Sequence, residues 1–171
     1  MSGRVLFSSF DVTKQVFYRS AKTFAMVNIN PIVPGHVLVV PDRIVPRLKD
    51  LSGEEIADIF LTANTVGQVV EREYDAESLT IAVQDGPAAG QTVPHVHVHI
   101  LPRKFTDFGG RNDEVYPAIE YSEQELASMI GQSKPERRAQ PLAVDARNSQ
   151  QPRTAEDMEK EAKKLSNLFS W

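Results

Sequence analysis

At 171 residues, 41% hydrophobic and 25% charged, the chain has the make-up of one ordinary globular domain with room for a real core. A formal charge of −4 argues against a nucleic-acid partner held by its backbone, and the lack of cysteine excludes disulfides, thiolate nucleophiles and cysteine-rich zinc sites. No apolar run approaches the ~18 residues of a membrane span, and Met1-Ser2-Gly3-Arg4 does not open a signal peptide. The sequence therefore predicts a cytoplasmic protein, with the nucleus as a second location.

Short strands are expected first, at Val5-Phe7, Val16-Tyr18, Phe24-Val27 and Val37-Val40, with Asn and Pro-Gly turns between the later ones. Ser52-Gly53-Glu54-Glu55 has the form of a capping box, and Ile56, Ile59, Phe60, Ala63, Val66 and Val70 follow at helical spacing, a stripe of about four turns. Leu79-Val83 reads as a strand. A glycine-containing loop, Asp85 to Thr92, then leads into an apolar run that Pro102 closes. Downstream, Tyr121-Ile130 has the pattern of a short helix, and 131–153 is expected to be a mobile, low-complexity loop. Its basic cluster Lys134-Pro135-Glu136-Arg137-Arg138 reads as solvated loop rather than an address signal. Thr154-Ala155-Glu156-Asp157 caps a last helix whose Met158, Ala162, Leu165 and Phe169 share one face and should dock on the main body. The expected organisation is a domain over 1–130, the loop over 131–153 and a docking helix over 154–171. The expected fold class is α+β, an antiparallel sheet with a long helix packed on it.

Chemistry concentrates in the run His95-Val96-His97-Val98-His99-Ile100-Leu101, which holds three of the four histidines. In an extended strand their imidazoles share a face about 6–7 Å apart, an expensive arrangement to bury for packing alone. The fourth, His36, follows Pro34-Gly35 and opens Val37-Val40. A metal cage fits the spacing poorly, because the outer histidines of a straight strand lie ~13 Å apart while zinc–nitrogen bonds are ~2 Å. Nucleophilic catalysis fits better. A neutral imidazole attacks phosphorus well when its other nitrogen donates to a fixed acceptor, and flanking histidines can steady the phosphate oxygens. Gly86 and Gly90 permit close backbone approach to an anion, with Gln84, Gln91 and Thr92 adding polar groups.

The stretch Gln84 to Lys104, with its three alternating His and apolar residues, closely resembles the fragile-histidine-triad branch of the histidine-triad superfamily, the bis(5′-adenosyl)-triphosphatases. Val27-Asn28-Ile29-Asn30-Pro31 through His36, and Arg111-Asn112-Asp113, resemble it too. The first strand matches weakly, Gly109-Gly110 adds a residue ahead of Arg111, and no substrate contact is assigned to Ser9. The resemblance implies the family's antiparallel sheet in a homodimer, with no nucleic-acid or membrane partner. It further implies cleavage of diadenosine triphosphate and related dinucleoside polyphosphates to AMP and the remaining nucleotide, through a nucleotidyl-histidine adduct. His97 would be the nucleophile, His99 would contact the phosphates, and His95 and His36 would support the site. Asn28 would hold ribose hydroxyls; Gln84, Gly90, Gln91, Thr92 and Val93 would line the phosphates. Magnesium or manganese would accompany the polyphosphate, with no protein-held metal. Two other functions compete: an adenosine phosphoramidase of the sister branch, and a dinucleotide-binding sensor with slow turnover. Thr92 keeps a hydroxyl near the place where the phosphoramidases carry serine, so it separates the branches weakly.

Overall fold

The computed structural model describes residues 3–129 and 153–169. A small hairpin comes first, β1 (Leu6–Phe7) and β2 (Phe10–Asp11), turning at Ser8 with a left-handed φ of 54°. Two-residue strands carry no periodicity to read, so β2 had no sequence signature. Five further strands form one antiparallel sheet: β3 (Val16–Arg19), β4 (Thr23–Val27), β5 (Val37–Pro41), β6 (Ser78–Val83) and β7 (Val98–Arg103), in the order β3-β4-β5-β7-β6. The α+β architecture is as expected.

Helix α1 (Gly53–Glu73) starts at the predicted box, Glu55 N donating to Ser52 Oγ (3.2 Å) and Ser52 N to Glu55 Oε2 (2.7 Å). It outruns its apolar stripe through Glu71-Arg72-Glu73. It then stops where Asp75 turns left-handed (φ 51°), with Ala76 N donating to Glu71 O (2.9 Å) and Asp75 N to Arg72 O (3.3 Å). Its buried face is Ile59, Ala63, Val66 and Val70. Phe60, beyond the edge of that face, and Ile56, in the first turn, are 42% and 36% exposed and so do not belong to the core stripe.

Alternation along the strands sorts the two sides of the sheet. Ala25, Val27, Val37, Val39, Val96, Val98 and Ile100 pack with α1 and with Met158, Ala162 and Leu165 of α3 (Ala155–Ser166). Phe24, Met26, Leu38 and Val40 turn the other way, onto Phe7 and Val93. That second face is covered by the hairpin and by α2 (Val115–Met129). α2 begins six residues before the expected Tyr121, because Pro117 sits in its first turn, where a missing N–H leaves no bond unmade.

Two expectations for the histidine run are corrected. The strand begins at Val98, not His95: Pro94 is the centre of a tight turn in which His95 N donates to Val93 O (2.8 Å), and Val96 N goes to Val45 O (2.9 Å) instead of a sheet ladder. The three imidazoles are therefore not evenly spaced on one straight strand; the rings of His97 and His99 lie 5.2 Å apart, and His95 belongs to the turn. Pro102 lies inside β7 rather than ending it, tolerated because pairing with β5 has already stopped at Val37–Ile100 and β7 there has one neighbour. Of the loop expected over 131–153, including the Lys134–Arg138 cluster, only Arg153 is among the described residues. No helix of the described residues is long and apolar enough to cross a membrane.

The turn that delivers His36 needs its glycine. His36 N donates to Val33 O (3.1 Å) across Pro34-Gly35, and Gly35 has φ 82°, as the third position of a type II turn requires. A Cβ there would lie 2.5 Å from Tyr74 Cδ2. Gly35→Ala should cost about 2 kcal/mol or more of unfolding free energy through left-handed strain and overpacking. Urea denaturation checks this; a loss below about 0.5 kcal/mol would contradict it.

Candidate active site

The second sheet face gathers His36 at the start of β5, His97 just before β7 and His99 within it, each at most 3% exposed. Their hydrogen bonds fix where the ring protons sit. Ile32 N donates to His36 Nδ1 (3.2 Å), so the His36 proton is on Nε2 and points at His99 Nδ1 (3.0 Å). His99 in turn carries its proton on Nε2, which donates to Glu123 Oε1 (3.0 Å). Asn28 Oδ1 accepts from Asn30 N (3.0 Å), which turns its amide Nδ2 toward His36 Nε2 (3.3 Å), a contact between two donors that makes no hydrogen bond in this tautomer.

His97 is set differently. Its Nδ1–H donates to the His95 carbonyl oxygen (2.7 Å), which leaves Nε2 as the ring's basic nitrogen, directed at Glu123 Oε1. A backbone carbonyl cannot move independently of the chain, so this tautomer is built into the turn. His95 itself faces away from that cluster. Ser8 N donates to its Nδ1 (2.9 Å), its Nε2–H donates to Pro41 O (2.8 Å), and Phe7 stacks on it (5.5 Å) while meeting His97 edge-on (5.3 Å).

Burial dominates the proton affinities. It pushes His95 down to about 4, and, with the neighbouring His99, holds His36 well below the usual histidine value. His99 is also lowered by burial, against the pull of Glu123. His97 goes the other way: burial disfavours its charge, but the Glu123 carboxylate more than offsets this and raises it. Glu123, which burial alone would raise, is held well below the carboxylate range by the His97 charge.

Among the sequence-predicted residues, the structure brings Asn28, His36, His97, His99 and Thr92 to one place. Thr92 N lies 3.3 Å from Glu123 Oε2, and its hydroxyl lies 2.6 Å from the Glu123 carbonyl and 2.9 Å from Oε2. Gln91 braces the loop, accepting from Gly86 N (2.8 Å) and donating to Pro46 O (2.8 Å) and Val93 O (2.9 Å). Val93 is packed in the core. Gln84 keeps a buried Oε1 with no partner and fills the space beside Gly90, where a Cβ would stand 2.5 Å from its Nε2.

Three groups escaped the sequence. Glu123 had a visible signal, as a charge on the buried stripe Ala118, Ile119, Ser122, Leu126 and Ala127. The Phe7-Ser8 turn had none. Arg153 donates to Asn28 O (3.2 Å) and pairs with Glu161, which accepts from the Tyr74 hydroxyl (2.5 Å), so α3 braces the turns carrying Asn28 and His36.

His97, His99 and Glu123 offer three donor atoms within 4.8 Å of one another, the spacing of a metal site. A metal on His99 Nε2 would send its proton to Nδ1 and reverse the relay, setting a His36 Nδ1–H against the Ile32 N–H while freeing His36 Nε2 to accept from Asn28 Nδ2.

The HIT domain family matches residues 9–106, and the chain belongs to that family. It is 47% identical over 178 residues to a bis(5′-nucleosyl)-tetraphosphatase (asymmetrical) of Schizosaccharomyces pombe, covering 99% of this chain and 97% of that one. It is 41% identical over 155 residues to a bis(5′-adenosyl)-triphosphatase of Dictyostelium discoideum, covering 91% and 85%. In solved structures, the fold matches the Caenorhabditis elegans NitFhit protein (TM-score 0.69, 35% identity, 99% of this chain and 31% of that one). It also matches the Plasmodium falciparum diadenosine triphosphate hydrolase (TM-score 0.68, 26% identity, 98% and 84%).

The depressed histidines make stability depend on pH. His95 takes its proton near 4 when folded and near 6.5 when unfolded, so as pH falls through that window the unfolded chain binds a proton that the fold refuses. Unfolding free energy should therefore fall between pH 6.5 and about 4, by on the order of 3 kcal/mol from His95, with His36 and His99 adding in the same direction. His97, raised, has the opposite sign: its contribution is full below 6.5 and is lost only as pH rises through its folded value. Urea midpoints across this range check the sign, and a flat profile would contradict it.

Proposed function

We propose that this chain hydrolyses dinucleoside polyphosphates, diadenosine triphosphate among them, by in-line transfer of a nucleotidyl group through His97. The single observation that carries this is His97 Nδ1–H bonded to the His95 carbonyl, which leaves Nε2 as the basic nitrogen and turns it toward Glu123 Oε1, an anion that His99 Nε2–H and Thr92 also contact. The names of the fission-yeast and slime-mould relatives supply the substrate class.

In the first step Nε2 attacks the phosphorus next to one nucleoside. The bond from that phosphorus to the bridging oxygen breaks, and the remaining nucleotide leaves. The ring becomes a nucleotidyl imidazolium whose charge is spread toward the His95 carbonyl. Water then attacks the same phosphorus, the N–P bond breaks, and AMP leaves with His97 neutral again. His99 Nε2–H, backed by His36, donates to the phosphate oxygens as charge builds on them. Asn28 holds ribose hydroxyls, and Gln84, Gln91, Thr92 and the backbone at Gly90 and Val93 form the phosphate loop. Magnesium or manganese enters with the polyphosphate, which is its ligand. A homodimer fits the free outer edge of β6, which carries the exposed Ile81, and the exposed Leu61 of α1.

Incubation with diadenosine triphosphate and chromatography should give AMP and ADP, with adenosine phosphoramidate run in parallel. His97→Ala should lower hydrolysis by about 10⁴-fold or more while substrate still binds, and His99→Ala by about 10²-fold. Substantial turnover by His97→Ala would end the covalent route.

A further inference from the structure

Glu123 has no solvent exposure, yet it sits on the helix face that otherwise carries Val115, Ile119 and Leu126 into the core. A carboxylate there is costly unless its environment pairs it. Its partners are the groups to which the hydrolase reading assigns the substrate's phosphate: His97 Nε2, His99 Nε2 (3.0 Å), Thr92 N (3.3 Å) and the Thr92 hydroxyl (2.9 Å). A carboxylate and a phosphate present the same acceptor chemistry to such donors. With the helix in place, Asn28, His36, His97 and His99 are each 3% exposed or less, so no dinucleotide reaches the nucleophile. The chain leading into α2 has a backbone on which a hinge could turn. Phe108 (φ 53°), Gly109 (φ 66°) and Gly110 (φ 86°) are three successive left-handed residues between β7 and the helix.

We propose that α2 is an autoinhibitory lid whose Glu123 carboxylate occupies the seat of the scissile phosphate, so that substrate must displace the helix to reach His97. The proposal rests on His97 being the attacking group. The seated carboxylate also holds a proton on Nε2, so the closed form has neither an empty seat nor a free lone pair. Apparent substrate affinity is then the affinity of the open form reduced by the open fraction, and weakening the lid lowers KM without new contacts.

Two readouts separate this from the hydrolase reading. The first is the rate at which diethyl pyrocarbonate acylates His97 at neutral pH, followed by peptide mass spectrometry in the full chain. The second is steady-state hydrolysis of diadenosine triphosphate. Glu123→Gln removes the charge at nearly constant shape, and Leu126→Ala loosens the helix without touching the site. Each should speed acylation of His97 by about tenfold and raise kcat/KM by a similar factor, through KM. Acylation of His95, shielded by the Phe7-Ser8 turn, should stay slow and certifies an intact fold. Unchanged labelling of His97 in both variants overturns the lid. Faster labelling with a fall in kcat/KM overturns it as well, because Glu123 would then serve turnover. Faster labelling with no hydrolysis by any variant or the parent supports the lid and refutes the substrate assignment.

Discussion

One hydrogen bond governs the chemistry, from His97 Nδ1 to the carbonyl of His95 two residues earlier. Because the acceptor is main chain, the ring has no second tautomer of comparable energy, and the basic nitrogen faces the centre of the site. The other histidines serve that arrangement. The Ile32 amide sets the proton of His36, His36 sets that of His99, and His99 thereby becomes a donor. A backbone N–H at one end and a backbone C=O at the other thus divide neighbouring imidazoles of identical chemistry into one whose Nε2 is basic and one whose Nε2 donates.

The sheet makes this possible by keeping its two faces distinct. Valines and isoleucine of the histidine run pack with α1, while His97 and His99 face the hairpin and α2. Burial on that side disfavours charge, which leaves His95, His36 and His99 depressed, His99 even though it donates to Glu123; only His97 is raised, the pull of Glu123 outweighing its burial. Burial alone would disfavour an anion there too; an anion from substrate or from α2 is accepted because His97, His99 Nε2–H and Thr92 face it.

Much of this was legible in the sequence where the determinant is local. The Ser52–Glu55 box, the Pro34-Gly35 turn, the Thr154 cap and the alternation around His99 are each written within a few residues. What escaped depends on distant chain or on backbone. The turn at Pro94 delays the strand to Val98 because Val96 finds Val45, far earlier in the chain. The shield over His95 comes from Phe7 and Ser8, and the partner of His97 lies 26 residues downstream on α2. The placement of Glu123 could have been suspected, since a lone carboxylate on an apolar helical stripe must meet a cation somewhere. Tautomers leave no mark in a sequence, for the residues that set them act through their main-chain atoms.

The most direct test is nitrogen NMR of the isotopically labelled imidazoles in the full chain carrying Glu123→Gln, which frees His97 from its carboxylate partner. The predicted spectrum has His97 protonated on Nδ1 with a free Nε2, and His36 and His99 both protonated on Nε2. A His97 ring found with its proton on Nε2, or a His99 ring with its proton on Nδ1, would contradict the assignment of attacking and stabilising roles.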